Sequence, residues 1–247
     1  MQLHIRIKPD TAIELPINYN HILQGLVYRA FANGDPLLSR MIHDGGDSDG
    51  ERIFKHFTFG PLEGRYRVED KIITFTDNVF WEFRSYDSDL VEMVERFIKV
   101  HGIDLGDAHC TKVETFIGAY EPESSNLYIK ARSPIVAYST DDLRQTYYYT
   151  PEELSFYDLT CLNALKRYNN VRPDAEATIQ LVPESVSDAD KVITTYKGII
   201  IEGWKGEYVL NGDSDILNYL YQTGIGAKNA QGFGMFDIVE EADPLQY

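Results

Sequence analysis

The order in which strand-like and helix-like segments alternate constrains this chain more than any other feature. Residues 2–8 alternate polar and apolar side chains, as a half-buried strand does. An amphipathic helix capped by Asn18 or Asn20 is predicted to run to about Phe31, and a second, capped by Asp87 or Ser88, to end near Gly102. Further strands are predicted between and after these helices, at Arg52–Gly60, Tyr66–Thr76, Val79–Tyr86 and Cys110–Ile117.

A similar order is predicted again after the polar segment Glu121–Asn126, which holds a proline and is the best boundary between domains. The second set comprises strands at Leu127–Ala131 and Ile135–Tyr138, a helix over about Pro151–Asn169, strands at Thr178–Val182, Val192–Gly203 and Glu207–Val209, a helix from Asp213 or Ser214 to Tyr221, and a last strand Phe233–Val239. Each set reads as β-α-β-β-α-β. The sequence therefore predicts an α+β protein with two tandem ferredoxin-like domains, residues 1–120 and 127–247.

Charge and composition limit the classes of function. A net charge of −16 over 247 residues argues against indiscriminate binding to nucleic acid, because that needs basic side chains against phosphates. The first 60 residues are nonetheless nearly neutral, with six basic and seven acidic side chains. No apolar run approaches the roughly 20 residues that span a bilayer, and two cysteines, Cys110 and Cys161, are too few for a disulfide framework. These features predict a cytoplasmic location.

A glycine-rich loop precedes the last predicted strand. Its glycines allow positive φ angles and let backbone N–H groups approach a phosphate, and Lys228 supplies a positive charge among them. The alternative is a tight helix cap followed by a strand bulge. The loop residues predicted to make this contact are Gly224, Gly226, Lys228, Asn229, Gly232 and Gly234.

Motifs at both ends of the chain carry a resemblance to a known family. The pattern Gly-apolar-Gly, five residues, Gly-apolar-Gly (Gly224–Gly234) resembles the signature of the repeat-associated RNA-binding (RAMP) superfamily. The opening strand followed by Asn20–Tyr28 resembles that superfamily's CRISPR repeat-processing endoribonucleases. The resemblance implies two ferredoxin-like domains, with the glycine loop bordering the RNA-binding face. It also implies CRISPR repeat RNA as the substrate.

The resemblance further implies a catalytic set without metal or cofactor. Cleavage of this kind needs a base for the 2′-OH proton, an acid for the leaving 5′-oxygen and a cation beside the phosphorane. Tyr28, His43 and Arg52 stand at the family's positions for a tyrosine, a histidine and a basic residue. The family often has lysine at the last position, and arginine keeps the charge while gripping two oxygens.

Several alternatives stay open beside this set. Lys55 competes with Arg52 as the cation, but in a strand it would share a side with Ile53 and Phe57 and face away from the site. His21 is either a substitute acid or a helix-start residue. The run Tyr147–Tyr149 would stack bases or, more commonly, form a strand with one ring buried.

Two other functions remain compatible with the sequence. One is a non-cutting RNA-binding scaffold of the same superfamily, which the acidic charge and Arg52 favour. The other is a protein-assembly domain with no nucleic-acid role. The predicted partners are CRISPR repeat RNA and other subunits of a CRISPR effector complex, with the chain as a monomer or homodimer.

Overall fold

The structure, a computed structural model, describes residues 1–35 and 55–241. Within these ranges the chain has four α-helices and antiparallel strand pairs throughout, so the predicted α+β class is confirmed. Contacts divide the chain into two compact units, Met1–Ala119 and Tyr120–Tyr247. The division falls just before the predicted linker. None of the described helices combines the length and the apolar character needed to cross a bilayer.

Unit 1 is built on a sheet whose central strand pairs are antiparallel. Its strands are β1 Gln2–Ile7, β2 Ile13–Pro16, β3 Phe57–Phe59, β4 Glu63–Glu69, β5 Ile72–Ser85, β6 Ile103–Leu105, β7 Ala108–Cys110 and β8 Val113–Gly118, and its helices are α1 Asn20–Gly34 and α2 Ser88–His101. The sheet order is β2-β5-β1-β8, with β3 and β4 also paired to β5. Leu3 of β1 lies opposite Phe83 of β5 and Ile117 of β8.

The core of unit 1 follows from the two periodicities in the sequence. Leu3, Ile5 and Ile7 alternate with more polar residues on β1 and are almost fully buried. Helix α1 buries Leu23, Leu26, Val27, Ala30 and Phe31, which lie at helical spacing. Helices α1 and α2 pack against each other, and α2 also packs on the sheet. This packing buries the apolar faces of the helices and the sheet in one core.

The predictions for the starts of the two helices of unit 1 have different outcomes. The predicted cap of α2 is confirmed, because the Asp87 carboxylate accepts a hydrogen bond from the Asp89 backbone N–H at 2.9 Å. The predicted caps of α1 are wrong. Tyr19 is its cap residue, and the Tyr19 side chain makes no capping hydrogen bond. The Tyr19 ring is buried where α1 begins, and the Tyr19 hydroxyl accepts a hydrogen bond from the Leu62 N–H at 2.9 Å.

The strand predicted over Tyr66–Thr76 is wrong as one continuous element. Asp70 and Lys71 both have positive φ angles, of 48° and 64°, and they reverse the chain between β4 and β5. Two-residue turns of this kind match the twist of antiparallel strands. Neither residue is a glycine or asparagine, so the sequence does not mark the turn. Strand β5 then runs unbroken through both the end of this prediction and the next one.

The strand predicted over Val192–Gly203 is wrong for the same reason. Lys197 and Gly198 have positive φ angles of 48° and 84°, and they join β13 and β14 as a hairpin. A lysine-glycine pair inside a β-branched run gives a weaker turn signal than asparagine-glycine.

Unit 2, like unit 1, has two helices, with strands before, between and after them. Its strands are β9 Asn126–Ala131, β10 Tyr138–Thr140, β11 Thr146–Tyr148, β12 Ile179–Ser185, β13 Lys191–Tyr196, β14 Ile199–Trp204, β15 Glu207–Gly212 and β16 Phe236–Glu241, and its helices are α3 Leu154–Val171 and α4 Ser214–Thr223. The main sheet has the order β12-β15-β9-β16. Unit 1 has the corresponding order: β3 and β4 on β5, then β1 and β8.

Candidate active site and glycine loop

Helix α1 holds Tyr28 half-buried, with its ring fixed and its hydroxyl engaged. Phe31 and Phe57 contact the ring edge-on, with centroids 6.2 and 6.5 Å away. The Lys55 ammonium donates a hydrogen bond to the Tyr28 hydroxyl at 2.7 Å. Tyr28 therefore lies off the buried stripe of α1, as predicted, and presents its polar end beside a cation.

The orientation predicted for Lys55 is wrong. The prediction placed this residue inside a strand, where its side chain would alternate with its neighbours. In the structure β3 begins only at Phe57, so Lys55 lies in irregular chain that strand alternation does not govern. Its Nζ lies beyond the hydroxyl end of the Tyr28 ring, 5.2 Å from the ring centroid. Sequence reasoning thus set aside the lysine that reaches Tyr28.

The remaining residues considered for unit 1 differ in what the structure says of them. His43 and Arg52 lie outside the described residues, so their place beside Tyr28 stays a prediction. His21 is exposed at the start of α1, and its Nδ1 lies 2.9 Å from the Asn18 carbonyl oxygen. That contact favours the helix-start interpretation of His21 over a role as acid.

The glycine-rich loop joins α4 to β16 and is tightly packed. Gly224, Gly226, Gly232 and Gly234 are all buried, with φ angles between 71° and 85°. A Cβ added at Gly234 would lie 1.8 Å from the Ile225 carbonyl oxygen. The loop therefore requires glycine for its own shape, which agrees with the cap-and-bulge alternative. Contact of these glycines with RNA stays a prediction.

Backbone hydrogen bonds account for much of the loop's polar capacity. Ile225 N–H donates to Gly234 at 2.8 Å, Ala227 N–H donates to Val136 at 2.8 Å, and Gly234 N–H donates to Pro134 at 2.9 Å. These amides are committed within the protein. A phosphate contact by the loop would therefore fall mainly on side chains at its surface.

Arg167 of α3 is hydrogen-bonded to this loop from the interior of the unit. It was not among the residues predicted from the sequence. Its guanidinium is buried and donates to the Thr223 carbonyl at 3.2 Å, to the Asn229 amide oxygen at 2.7 Å and to the Gly224 carbonyl. Asn229 in turn donates to the Ile225 and Phe233 carbonyls at 3.0 and 3.1 Å. Asn229 is thus 5% exposed and acts as a brace of the loop. The available signal was an arginine at the helical spacing of buried Thr160 and Ala164.

Lys228 is the partly exposed side chain among the six predicted RNA-binding residues. It takes a left-handed backbone conformation with φ at 64°, and its Nζ lies 4.5 Å from the centroid of the Tyr138 ring. Tyr138 and Tyr148 pack on a small core of Val136, Tyr196, Ile201 and Phe233. This arrangement places one positive charge over an aromatic surface at the edge of the loop.

Comparison with known proteins decides the family. Residues 119–238 match the family model described as CRISPR associated protein Cas6, C-terminal. CRISPR-associated endoribonuclease Cas6 1 of Methanocaldococcus jannaschii is 24% identical over 256 residues, which cover 98% of this chain and 94% of that protein. Residues 119–238, just under half of the chain, are thus assigned to the Cas6 family. CRISPR-associated endoribonuclease Cas6 of Pyrococcus furiosus is 23% identical, over 96% of this chain and 90% of its own length.

Solved structures support the Cas6 assignment at the level of the fold. The structure of a RAMP protein binding different RNA substrates superposes with a TM-score of 0.80 at 18% identity and covers 97% of this chain and 100% of its own. The likeness of fold therefore extends over both units.

The rings of the tyrosine run, Tyr147–Tyr149, are at least partly exposed but do not share one plane. Tyr147 is exposed and donates to Glu153 at 3.1 Å, whereas Tyr148 donates to the Ile200 carbonyl at 3.0 Å. Tyr147 and Tyr149 meet edge to face, 4.8 Å apart. The run forms strand β11 in part, as the structural alternative predicted, but none of its three rings is buried.

Proposed function

We propose that the chain is a metal-independent endoribonuclease that binds and cleaves CRISPR repeat RNA. The observation that carries this proposal is its likeness, along nearly the whole chain, to two Cas6 proteins named as endoribonucleases. The Tyr28 hydroxyl of α1, which accepts a hydrogen bond from the Lys55 ammonium, supports it independently. RNA is the partner class, since a neighbour of the same fold is described as binding RNA substrates.

The proposed reaction is a transesterification by the RNA itself. The 2′-oxygen attacks the adjacent phosphorus, the bond from phosphorus to the 5′-oxygen breaks, and the products are a 2′,3′-cyclic phosphate and a 5′-OH. His43 takes the 2′-OH proton, and the same proton can then neutralise the leaving oxygen, because the pKa of histidine lies near neutrality. Tyr28 orients the 2′-OH, and Arg52 neutralises charge on the phosphorane.

RNA contact in unit 2 is assigned above all to Lys228. Its side chain is the accessible cation of the loop, and the aromatic surface below it offers a base a stacking partner. The glycines Gly224, Gly226, Gly232 and Gly234 act by shaping this surface, and Asn229 acts by bracing it.

Two tandem ferredoxin-like domains are the architecture proposed for this activity. Apart from insertions, each unit has the order strand, helix, two strands, helix, strand, if β3 and β4 of unit 1, which pair with different parts of β5, are counted as one strand position. The two main sheets then share one strand order. Insertions separate the units from the simple pattern, namely β2, β6 and β7 in unit 1 and the two hairpins β10–β11 and β13–β14 in unit 2.

The test is incubation of the full chain with its repeat RNA in excess EDTA. The proposal predicts cleavage at one position at a rate unaffected by the chelator. His43→Ala should slow single-turnover cleavage by about 10²-fold or more, the range typical of a lost acid–base group, while RNA affinity stays within a few-fold. Cleavage by His43→Ala at the wild-type rate would remove His43 from the mechanism.

A non-cutting RNA-binding scaffold is the second candidate, favoured by the net charge of −16. In the same EDTA incubation it would bind the RNA and leave it intact. A protein-assembly domain would show no salt-sensitive RNA affinity at all. Sedimentation of the same preparation distinguishes the predicted monomer from a homodimer. Adding other CRISPR subunits to it tests the predicted association with them.

A further inference from the structure

Helix α3 leaves its four leucines at or near the surface. Leu154 and Leu162 are 81% and 46% exposed. Leu159 and Leu165 are half-buried. A surface helix normally turns its most apolar face to the core, yet the residues that α3 buries are Phe156, Thr160, Ala164, Arg167 and Tyr168. The packing of unit 2 therefore leaves apolar side chains of α3 unused on the opposite face.

This outer face of α3 is centred on Leu162. Residues three, four and seven positions from Leu162 lie on the same side of the helix. Those at the centre of the face are fully exposed, and a half-buried leucine borders it on each side. The residues of this face, called the Leu162 face, are Ser155, Asp158, Leu159, Leu162, Leu165, Lys166 and Asn169.

The Leu162 face also carries two opposite charges, Asp158 and Lys166. Neither makes an ion pair with any other side chain in the part of the chain that the structure describes. They are eight residues apart on one helix, about 12 Å along its axis, so they cannot pair with each other. Each charge is thus available to a partner that covers the leucines between them.

The order of residues makes the Leu162 face complementary to itself when a second copy runs antiparallel. A two-fold axis at Leu162 places every residue level with the one equally far on the other side of Leu162. Leu162 then meets its own copy, and Asp158 is level with the partner's Lys166, twice by symmetry. Leu159 is level with the partner's Leu165 and flanks the central leucines.

Other arrangements match the face less well. A parallel pair of helices would bring Asp158 level with the partner's Asp158, and like charges at such positions repel each other. An unrelated helix would have to supply both the charges and the leucine spacing, whereas a second copy supplies them by symmetry.

We propose that the Leu162 face is the contact between two copies of this chain, formed by an antiparallel pair of α3 helices. The contact is independent of the proposed ribonuclease activity, because none of its residues is assigned to RNA binding or cleavage.

The size of the face sets the strength of the dimer. An 18-residue helix is about 27 Å long, and a contact between two such helices buries less than the roughly 1,200 Å² of a stable interface. We therefore expect a dissociation constant on the order of 10⁻⁵ to 10⁻⁴ M. At the lower protein concentrations of an unfolding measurement the chain is monomeric, and Lys166 is then an exposed side chain.

Sedimentation of the full chain over a concentration series that spans this range measures self-association. The buffer holds about 0.15 M salt, because a Debye length of about 8 Å screens the long-range repulsion between two chains of charge −16. We expect Leu162→Lys to weaken the dimer about 10-fold or more, since a buried leucine is lost from both copies. Leu143→Lys is the matched control, because Leu143 is a 79% exposed leucine between β10 and β11.

Charge reversal tests the antiparallel register. Asp158→Lys and Lys166→Asp should each weaken self-association roughly 5-fold or more, because two ion pairs become two like-charge contacts. An equimolar mixture of the two variants should regain the wild-type affinity, because each chain carries the charges that match the other. Native mass spectrometry identifies the mixed dimer by the different masses of its chains, and thermal unfolding establishes that every variant is folded.

Three results would overturn the inference. A wild-type chain that stays monomeric over the whole series would leave the Leu162 face to a different protein, such as another CRISPR subunit. Unchanged self-association in Leu162→Lys would place the contact on another surface. Charge variants that associate no better in the mixture than alone would exclude the antiparallel pair. Absence of RNA cleavage by a chain that still dimerises would overturn the proposed function only.

Discussion

Arg167 brings a guanidinium into the interior of unit 2, and burial lowers its pKa. Desolvation of a charge is costly, and hydrogen bonds to three oxygens offset that cost here. Two of those oxygens are carbonyls at the C-terminal end of α4, where the helix dipole favours a positive charge. The residue therefore ties α3 to the end of α4 and to the glycine loop.

We expect Arg167→Met to lower the free energy of unfolding by roughly 2 to 4 kcal/mol, because buried oxygens lose their donor at about 1–3 kcal/mol each. The measurement is denaturant unfolding at neutral pH. Lys166→Met is the control, being the same substitution at the exposed neighbouring residue of α3. Equal stability of the two variants would show that the clamp contributes nothing to the fold.

Individual residues differ in how far the sequence foretells them. Tyr28 could be placed at the surface of α1 because helical spacing separates it from the apolar stripe. Lys55 could not be placed, since its reach depends on where β3 begins. Arg167 was foreseeable in part, because a charged residue on a buried stripe demands partners. Its partners are backbone carbonyls, which no sequence pattern identifies.

Gly25 and Gly234 lie in opposite environments, so alanine substitution should change stability in opposite directions at the two positions. Gly25 lies inside α1, and no heavy atom of the described residues is within 4 Å of a Cβ built there. Gly25→Ala should raise the free energy of unfolding by about 0.5–1 kcal/mol, since alanine loses less backbone entropy in a helix. Denaturant unfolding measures the change. A loss of stability would mean that the site is covered.

Gly234→Ala is the matched comparison in the glycine loop. Its added Cβ would collide with a carbonyl oxygen and its φ angle is 71°, so we expect a loss of at least about 1–2 kcal/mol from the left-handed conformation alone. Unchanged stability in Gly234→Ala would contradict the tight packing of the loop.

The Asp213 carboxylate, at the residue before α4, binds Thr178 at the residue before β12 and makes no capping hydrogen bond to the helix. Asp213 accepts hydrogen bonds from the Thr178 N–H at 2.6 Å and from its hydroxyl at 2.9 Å, and these bonds lower the pKa of Asp213. A folded pKa below the unfolded value means that the stabilisation is full above the unfolded pKa, about 3.9, and is lost as pH falls through the lower, folded pKa.

Thermal unfolding of Asp213→Ala between pH 7 and pH 2 tests this. We expect the variant to melt below wild type at neutral pH, with the gap closing in acid. Asp215→Ala, which removes an exposed carboxylate in the same helical turn, should show a smaller gap. A gap for Asp213→Ala that stays constant with pH would exclude the charged form as its source.

Helices and strands with a clear apolar periodicity could be predicted from the sequence, whereas the turns between strands could not. The helices follow from apolar spacing, and their order with the strands gave the α+β class. Both hairpins with lysine in the turn were predicted as single strands, because the positive φ angles at Asp70, Lys71 and Lys197 follow from strand pairing across the turn rather than from residue type. Tertiary pairing overrides local preference there.

The charge of the whole molecule bears on how RNA is bound. A chain with 23 basic and 39 acidic side chains repels a polyanion at long range, so binding must rely on a few local cations. Lys228 is the one proposed for unit 2. For single-stranded RNA each phosphate contact contributes about 0.7 to the slope of log affinity against log salt.

We therefore expect Lys228→Met to weaken repeat RNA binding and to reduce that slope by about 0.7. Lys130→Met, which removes a lysine paired with Glu207 at 2.8 Å, should leave the slope unchanged. Fluorescence titrations over a series of salt concentrations give both values. An unchanged slope in Lys228→Met would place RNA elsewhere on unit 2.

The attack of the RNA's own 2′-oxygen is the central claim, and one measurement addresses it most directly. A repeat RNA with a single 2′-deoxy substitution at the nucleotide before the cut is incubated with the wild-type chain, beside the unmodified RNA. We predict equal binding, cleavage of the unmodified RNA to a 2′,3′-cyclic phosphate identified by mass, and no cleavage of the substituted RNA. Cleavage of the 2′-deoxy RNA at the same position would contradict the mechanism.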